Sequence, residues 1–125
     1  MPPGRRSRRL LTAAVVVFGV TSAAGHAFPE RSEPRVGATL STAPEQVRIW
    51  FDSELESRFS QVHVFDGTGR VVDRGDPRVD PQNRRLLHVT VAPLAPGRYT
   101  VRWNVLAIDG HRTEGDYAFT VRGAP

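Results

Sequence analysis

The sequence predicts an all-β fold, an antiparallel sandwich of about seven short strands. Three observations point there. Apolar residues alternate with polar ones at period two in five separate runs, as half-buried strands require. Clusters of Gly, Pro, Asp and Asn separate the runs. No stretch carries a long helical period. Strands and turns at this spacing are immunoglobulin-like in class.

Taken in order, residues 1–25 read as a signal peptide. Arg5, Arg6, Arg8 and Arg9 form a basic start, residues 10–20 are apolar, and Thr21-Ser22-Ala23-Ala24-Gly25 supplies small residues for cleavage. The apolar run is short for a transmembrane helix, which needs roughly 20 residues. Ser7-Arg8-Arg9-Leu10-Leu11 loosely matches a twin-arginine signal. Cleavage after Gly25 leaves His26 as the first residue; cleavage after Ala24 leaves Gly25 instead. The first is favoured, which gives a domain over residues 26–125.

Residues 27–44 are rich in Pro, Glu, Arg and Ser, with no strand alternation. The first patterned run then has Val47, Ile49 and Phe51 on one side. Residues 54–59 could close one helical turn. Val62 and Val64 begin the next run, and Asp66-Gly67-Thr68-Gly69 reads as a hairpin turn. Residues 73–85 read as a loop. Leu87, Val89 and Val91 mark a third run; Tyr99, Val101, Trp103 and Val105 a fourth; Tyr117, Phe119 and Val121 a fifth, beginning near Gly115. Trp103 shares the apolar side of its run and reads as core, while Trp50 lies opposite Ile49 and Phe51.

Composition excludes several functions. There is no Cys, so disulfides, thiolate metal sites and Cys nucleophiles are absent. All seventeen basic residues are Arg. Four lie in the leader, and the remaining thirteen balance thirteen acidic residues. The pI near 10.9 is therefore largely a leader property, and a nucleic-acid partner is not expected. No later segment is apolar enough to span a membrane, and the mature chain is expected to be monomeric. No Ser/His/Asp triad, phosphate loop or paired-carboxylate signature stands out, so an enzyme is not expected.

The candidate chemistry rests on histidine. A chain-starting His26 offers its α-amine and its imidazole to one ion. Their ordinary pKa values, about 8 and about 6.5, let both lose protons near neutral pH. Asp109 and His111, at i and i+2 around Gly110, can converge from a loop between two strands. Together these make a four-donor N,O set, the preference of Cu(II). His63 and His88 sit within strands, opposite the apolar side, and read as exposed.

The residues resemble the CopC family of periplasmic copper-resistance proteins. The resemblance runs through Ser32-Glu33-Pro34, Gly37-Ala38-Thr39-Leu40, Ala43-Pro44 and Val47-Arg48-Ile49-Trp50-Phe51. It continues through Leu94-Ala95-Pro96-Gly97-Arg98-Tyr99-Thr100-Val101-Arg102-Trp103, Asp109-Gly110-His111 and Gly115-Asp116-Tyr117-Ala118-Phe119-Thr120-Val121. It implies a cupredoxin-like or immunoglobulin-like Greek-key sandwich. It also implies a Cu(II) site of His26, Asp109 and His111, in a periplasmic protein that works beside a separate membrane copper permease of the CopD type. Some members carry a Met-rich Cu(I) loop; Met1 is the only Met here. Two other readings stay open: a histidine-brace copper monooxygenase, and a metal-free β-sandwich interaction module.

Overall fold

The computed structural model describes Gly4 and residues 27–123. The leader and His26 lie outside the described residues. Eight strands run in chain order: β1 (Pro29–Glu33), β2 (Thr39–Leu40), β3 (Gln46–Phe51), β4 (Gln61–Phe65), β5 (Arg78–Val79), β6 (Leu86–Thr90), β7 (Gly97–Leu106) and β8 (Arg112–Val121). They form two four-stranded sheets, ordered β1-β3-β6-β5 and β2-β8-β7-β4. A 3-10 turn, Ser57–Phe59, falls within the stretch expected to form one helical turn. No helix among the described residues is long and apolar enough to cross a membrane.

The alternation read from the sequence is the alternation of burial. Val47, Ile49 and Phe51 of β3, Val62 and Val64 of β4, and Leu87 and Val89 of β6 all point into one core. Tyr99, Val101, Trp103 and Val105 of β7 meet them from the other sheet, with Tyr117, Phe119 and Val121 of β8. Strand side chains alternate faces, so each sheet turns its apolar set inward and its polar set to solvent. Trp103 meets Phe51 across the core edge to face, 5.3 Å between centroids. The Trp103 ring has room because Gly115 is its register partner on β8. A Cβ at Gly115 would stand 2.6 Å from the ring.

The structure differs from expectation in several places, each for a physical reason. Among the described residues there are eight strands rather than about seven, and β2 pairs parallel with β8, so that sheet is mixed. β1, β2 and β5 fall in segments read as irregular. β1 is an edge strand whose only buried residue is Ser32, so it carries no apolar alternation. Its pairing with β3 shifts register between Pro29 and Arg31. The turn after β4 closes on a lone bridge between Phe65 and Val71 rather than on a second full strand. β8 starts at Arg112, three residues earlier than expected, and this shortens the connection from β7.

The two strand histidines are not simply exposed. His88 is 7% exposed. It lies between Arg48 of β3 and Arg78 of β5, with its Nε2 3.5 Å from Asp80. The short β5 and its flanking segment cover that face. His63 is half-buried, with Nδ1 3.2 Å from Asp73 and Nε2 3.2 Å from Gln61. The Asp73 side chain is wholly buried and accepts the amides of Val64 and Gly75, at 2.8 and 2.9 Å. It stands in for a neighbouring strand at the outer edge of β4. Trp50 is half-buried on the outer face, with the Arg31 guanidinium 3.9 Å above its ring.

Two outcomes follow from this packing. Gly115→Ala should destabilise the domain by about 1–3 kcal/mol, because Trp103 must leave its seat; denaturant unfolding followed by tryptophan fluorescence reads both effects. Burial pushes the Tyr117 phenol up to about 12. An unfolded chain releases that proton near 10, so the folded state loses stability as pH rises from 10 to 12, by about 1.4 kcal/mol per pH unit. Tyr117→Phe should flatten this alkaline slope in thermal melts and leave stability below pH 10 without it.

Candidate metal centre

The β7–β8 ladder runs in unbroken register from Gly97 opposite Val121 to Leu106 opposite Arg112. The five residues between the strands form a closed turn. The Ala107 amide donates to the His111 carbonyl at 2.9 Å, and the Gly110 amide to the Ala107 carbonyl at 2.9 Å. Gly110 has φ +93, a conformation open to glycine and strained for other residues. This bend folds the chain back so that Asp109 and His111 share one side.

Asp109 then fixes His111 twice. One carboxylate oxygen accepts the His111 amide at 3.0 Å, and the other lies 2.9 Å from the imidazole Nδ1. The Asp109 side chain is 30% exposed and that of His111 57%, so the pair sits at the surface. Two donors each about 2.0 Å from one ion, at a right angle, stand about 2.8 Å apart. The Asp109–His111 separation matches neighbouring positions on a single ion as well as it matches a hydrogen bond.

The start of the described chain is held against this turn. Ala27 is fully buried, and its carbonyl accepts the Thr113 hydroxyl at 2.5 Å. Thr113 is two residues beyond His111. Phe28 is tied by its amide to the Asp52 carboxylate at 2.8 Å, and by its carbonyl to the Asp52 amide at 2.9 Å. The segment after β3 completes the mount. The Glu54 carbonyl accepts the Ile108 amide, the Glu56 amide donates to Leu106, and Leu55 bridges Ala107. Three stretches far apart in sequence are thus stitched together at one end of the sandwich.

Of the residues expected to hold metal, the structure brings Asp109 and His111 together, while His26 lies outside the described residues. Among the described residues, no group of three or more His, Asp or Glu side chains converges. Asp109 and His111 therefore need donors from elsewhere to complete a site. Among the described residues, the N-terminal segment is anchored beside this turn at Ala27. Thr113 and Asp52 escaped the sequence reading. A Thr in a strand and an Asp at a strand end carry no signal until the N-terminal segment is seen to lie on them.

The CopC domain family model matches residues 29–122. The chain belongs to the CopC family. It is similar to protein YobA of Escherichia coli K12, 31% identical over 119 residues that cover 94% of each chain. It is also similar to copper resistance protein C of Escherichia coli, 27% identical over 125 residues, covering 93% of this chain and 97% of that one. Among solved structures, CopC from Methylosinus trichosporium OB3b is 31% identical with a TM-score of 0.69, covering 78% of this chain and 94% of that one. PcoC of Escherichia coli, described as a methionine-rich copper resistance protein, is 25% identical with a TM-score of 0.65, covering 78% and 99%. The present chain is not methionine-rich; Met1 stands alone.

The Thr113 anchor is testable by itself. Thr113→Val keeps the shape and removes the donor, leaving the buried Ala27 carbonyl unpaired. That should cost about 1–3 kcal/mol. Faster amide exchange at Phe28 and Asp52, with the β7–β8 ladder still protected, would be the local signature.

Proposed function

We propose that this protein is an exported, non-enzymatic Cu(II)-binding protein of the cell envelope, which sequesters or carries one ion through His26, Asp109 and His111. The observation that carries the reading is the Asp109–His111 pair, spaced for one ion and set beside the anchored Ala27. The names of the relatives and of the solved neighbours support copper as the cargo. In this reading residues 1–25 are a cleaved leader, and His26 contributes its new α-amine and its imidazole. Asp109 adds a carboxylate and His111 a second imidazole.

The donor chemistry selects the oxidation state. Amine, imidazole and carboxylate suit Cu(II), whereas Cu(I) prefers thiolate and thioether sulfur. Without Cys, and with Met1 lost in the leader, the mature chain offers no sulfur. It therefore handles copper at one site in one oxidation state. A carboxylate beside His111 also fills a position that an oxygen-activating copper keeps open, which favours carriage over catalysis. Delivery to or from a separate membrane permease of the CopD type fits such a carrier, acting in the periplasm as a monomer.

Titration of protein beginning at His26, followed by electron paramagnetic resonance, should give one tightly held Cu(II) per chain with a tetragonal, nitrogen-rich spectrum. One extra residue before His26 removes the α-amine from reach and should weaken binding by about 100-fold or more, as should His111→Ala. Equal affinity with and without the extra residue would refute the terminal-amine ligand.

A further inference from the structure

The ladder between β1 and β3 ends at Pro29, opposite Phe51, after a shift of register between Pro29 and Arg31. Proline has no amide hydrogen to give to a ladder. Phe28, the next residue toward the terminus, is nonetheless held on both sides of its backbone. Its carbonyl accepts the Asp52 amide at 2.9 Å. Its amide donates to the Asp52 carboxylate at 2.8 Å. One residue thus grips Phe28 twice, and the carboxylate takes the part of the main-chain acceptor that an antiparallel pair would supply. The Ser53 hydroxyl lies 3.4 Å from the same carboxylate oxygen and braces it.

This grip has a counterpart on the other sheet, where the Thr113 hydroxyl of β8 holds the Ala27 carbonyl. Asp52 directly follows β3, so successive residues of the N-terminal arm are fixed to different sheets. Both anchors adjoin the Asp109–His111 turn. Thr113 is two residues past His111. Two residues past Asp52, the Glu54 carbonyl takes the Ile108 amide at 3.1 Å. Arm and turn therefore share the same two mounts. One hydrogen bond would let the arm swing about its anchor, and the second fixes its direction. Burial secures Ala27, whereas Phe28 is 46% exposed, so apolar packing does little for it and hydrogen bonds carry it.

We propose that Asp52 is the positioning residue of the metal centre, a role that rests on the copper reading given above. Asp52 fixes Phe28, and Phe28 in turn directs the mature N-terminus toward Asp109 and His111. A ligand on a loose chain end must give up its freedom when it binds, and that loss weakens the site. An arm already held gives up less. Asp52 therefore raises affinity and slows release without adding a donor.

The experiment compares Asp52→Ala and Asp52→Asn with the parent protein, all beginning at His26. Cu(II) affinity is read by competition with a chelator, release by stopped flow, and the ligand set by electron paramagnetic resonance. Asp52→Ala should lower affinity by about tenfold or more and speed release by a similar factor, with the copper spectrum unchanged. Without copper, amide exchange should quicken at Phe28 while the β7–β8 ladder stays protected, which excludes a general folding defect. Asp52→Asn keeps an oxygen that can accept the Phe28 amide, and should restore most of the affinity. Three results would each overturn the proposal. They are unchanged affinity in Asp52→Ala, an altered spectrum, which would make Asp52 a ligand, and an equal loss in Asp52→Asn, which would assign the effect to charge. Failure of the copper reading looks different: one extra residue before His26 then costs the parent protein no affinity, and the positioning role falls with it.

Discussion

The ten-pair antiparallel ladder between β7 and β8 is the constraint on which the rest depends. Its register places four side chains of β7 and three of β8 in the core. It sets Gly115 under the Trp103 ring and delivers Asp109 and His111 to one side of a five-residue turn. It also puts Thr113 where Ala27 can reach it. A slip of one residue would exchange every inward side chain for an outward one. The register is protected by the burial of Tyr99, Val101, Trp103 and Val105, so the surface chemistry of the turn is secured by apolar packing beneath it.

The parts of this architecture that were legible in the sequence are those where burial alternates. β3, β4, β6, β7 and most of β8 announce themselves because one face of each is apolar. β1, β2 and β5 do not, because an edge strand of two to five residues buries too little to impose a pattern. The same limit explains His88. Its period-two position faces away from the core, but a two-residue strand and its flanking segment, invisible to periodicity, cover that face.

The candidate site divides in a similar way. Asp109-Gly110-His111 could be found because a Gly bend between two donors is a local signal. Its supports are non-local. Asp52 holds Phe28 across 24 residues and Thr113 holds Ala27 across 86. Neither relation has a trace in the neighbourhood of the residues involved.

The Thr113–Ala27 hydrogen bond closes nearly the whole described chain into a ring, yet one such bond is a weak clasp. An ion shared by His26 and His111, as proposed, would close the same ring with coordinate bonds. In the chain-entropy view, a cross-link over a loop of this length is worth about 4–5 kcal/mol. A protein without cysteine would thereby own a staple that can be inserted and withdrawn. Its loaded form would resist proteases and heat, and its emptied form would relax at the seam. Cargo status would then be written into durability, and the envelope could clear empty carriers faster than full ones.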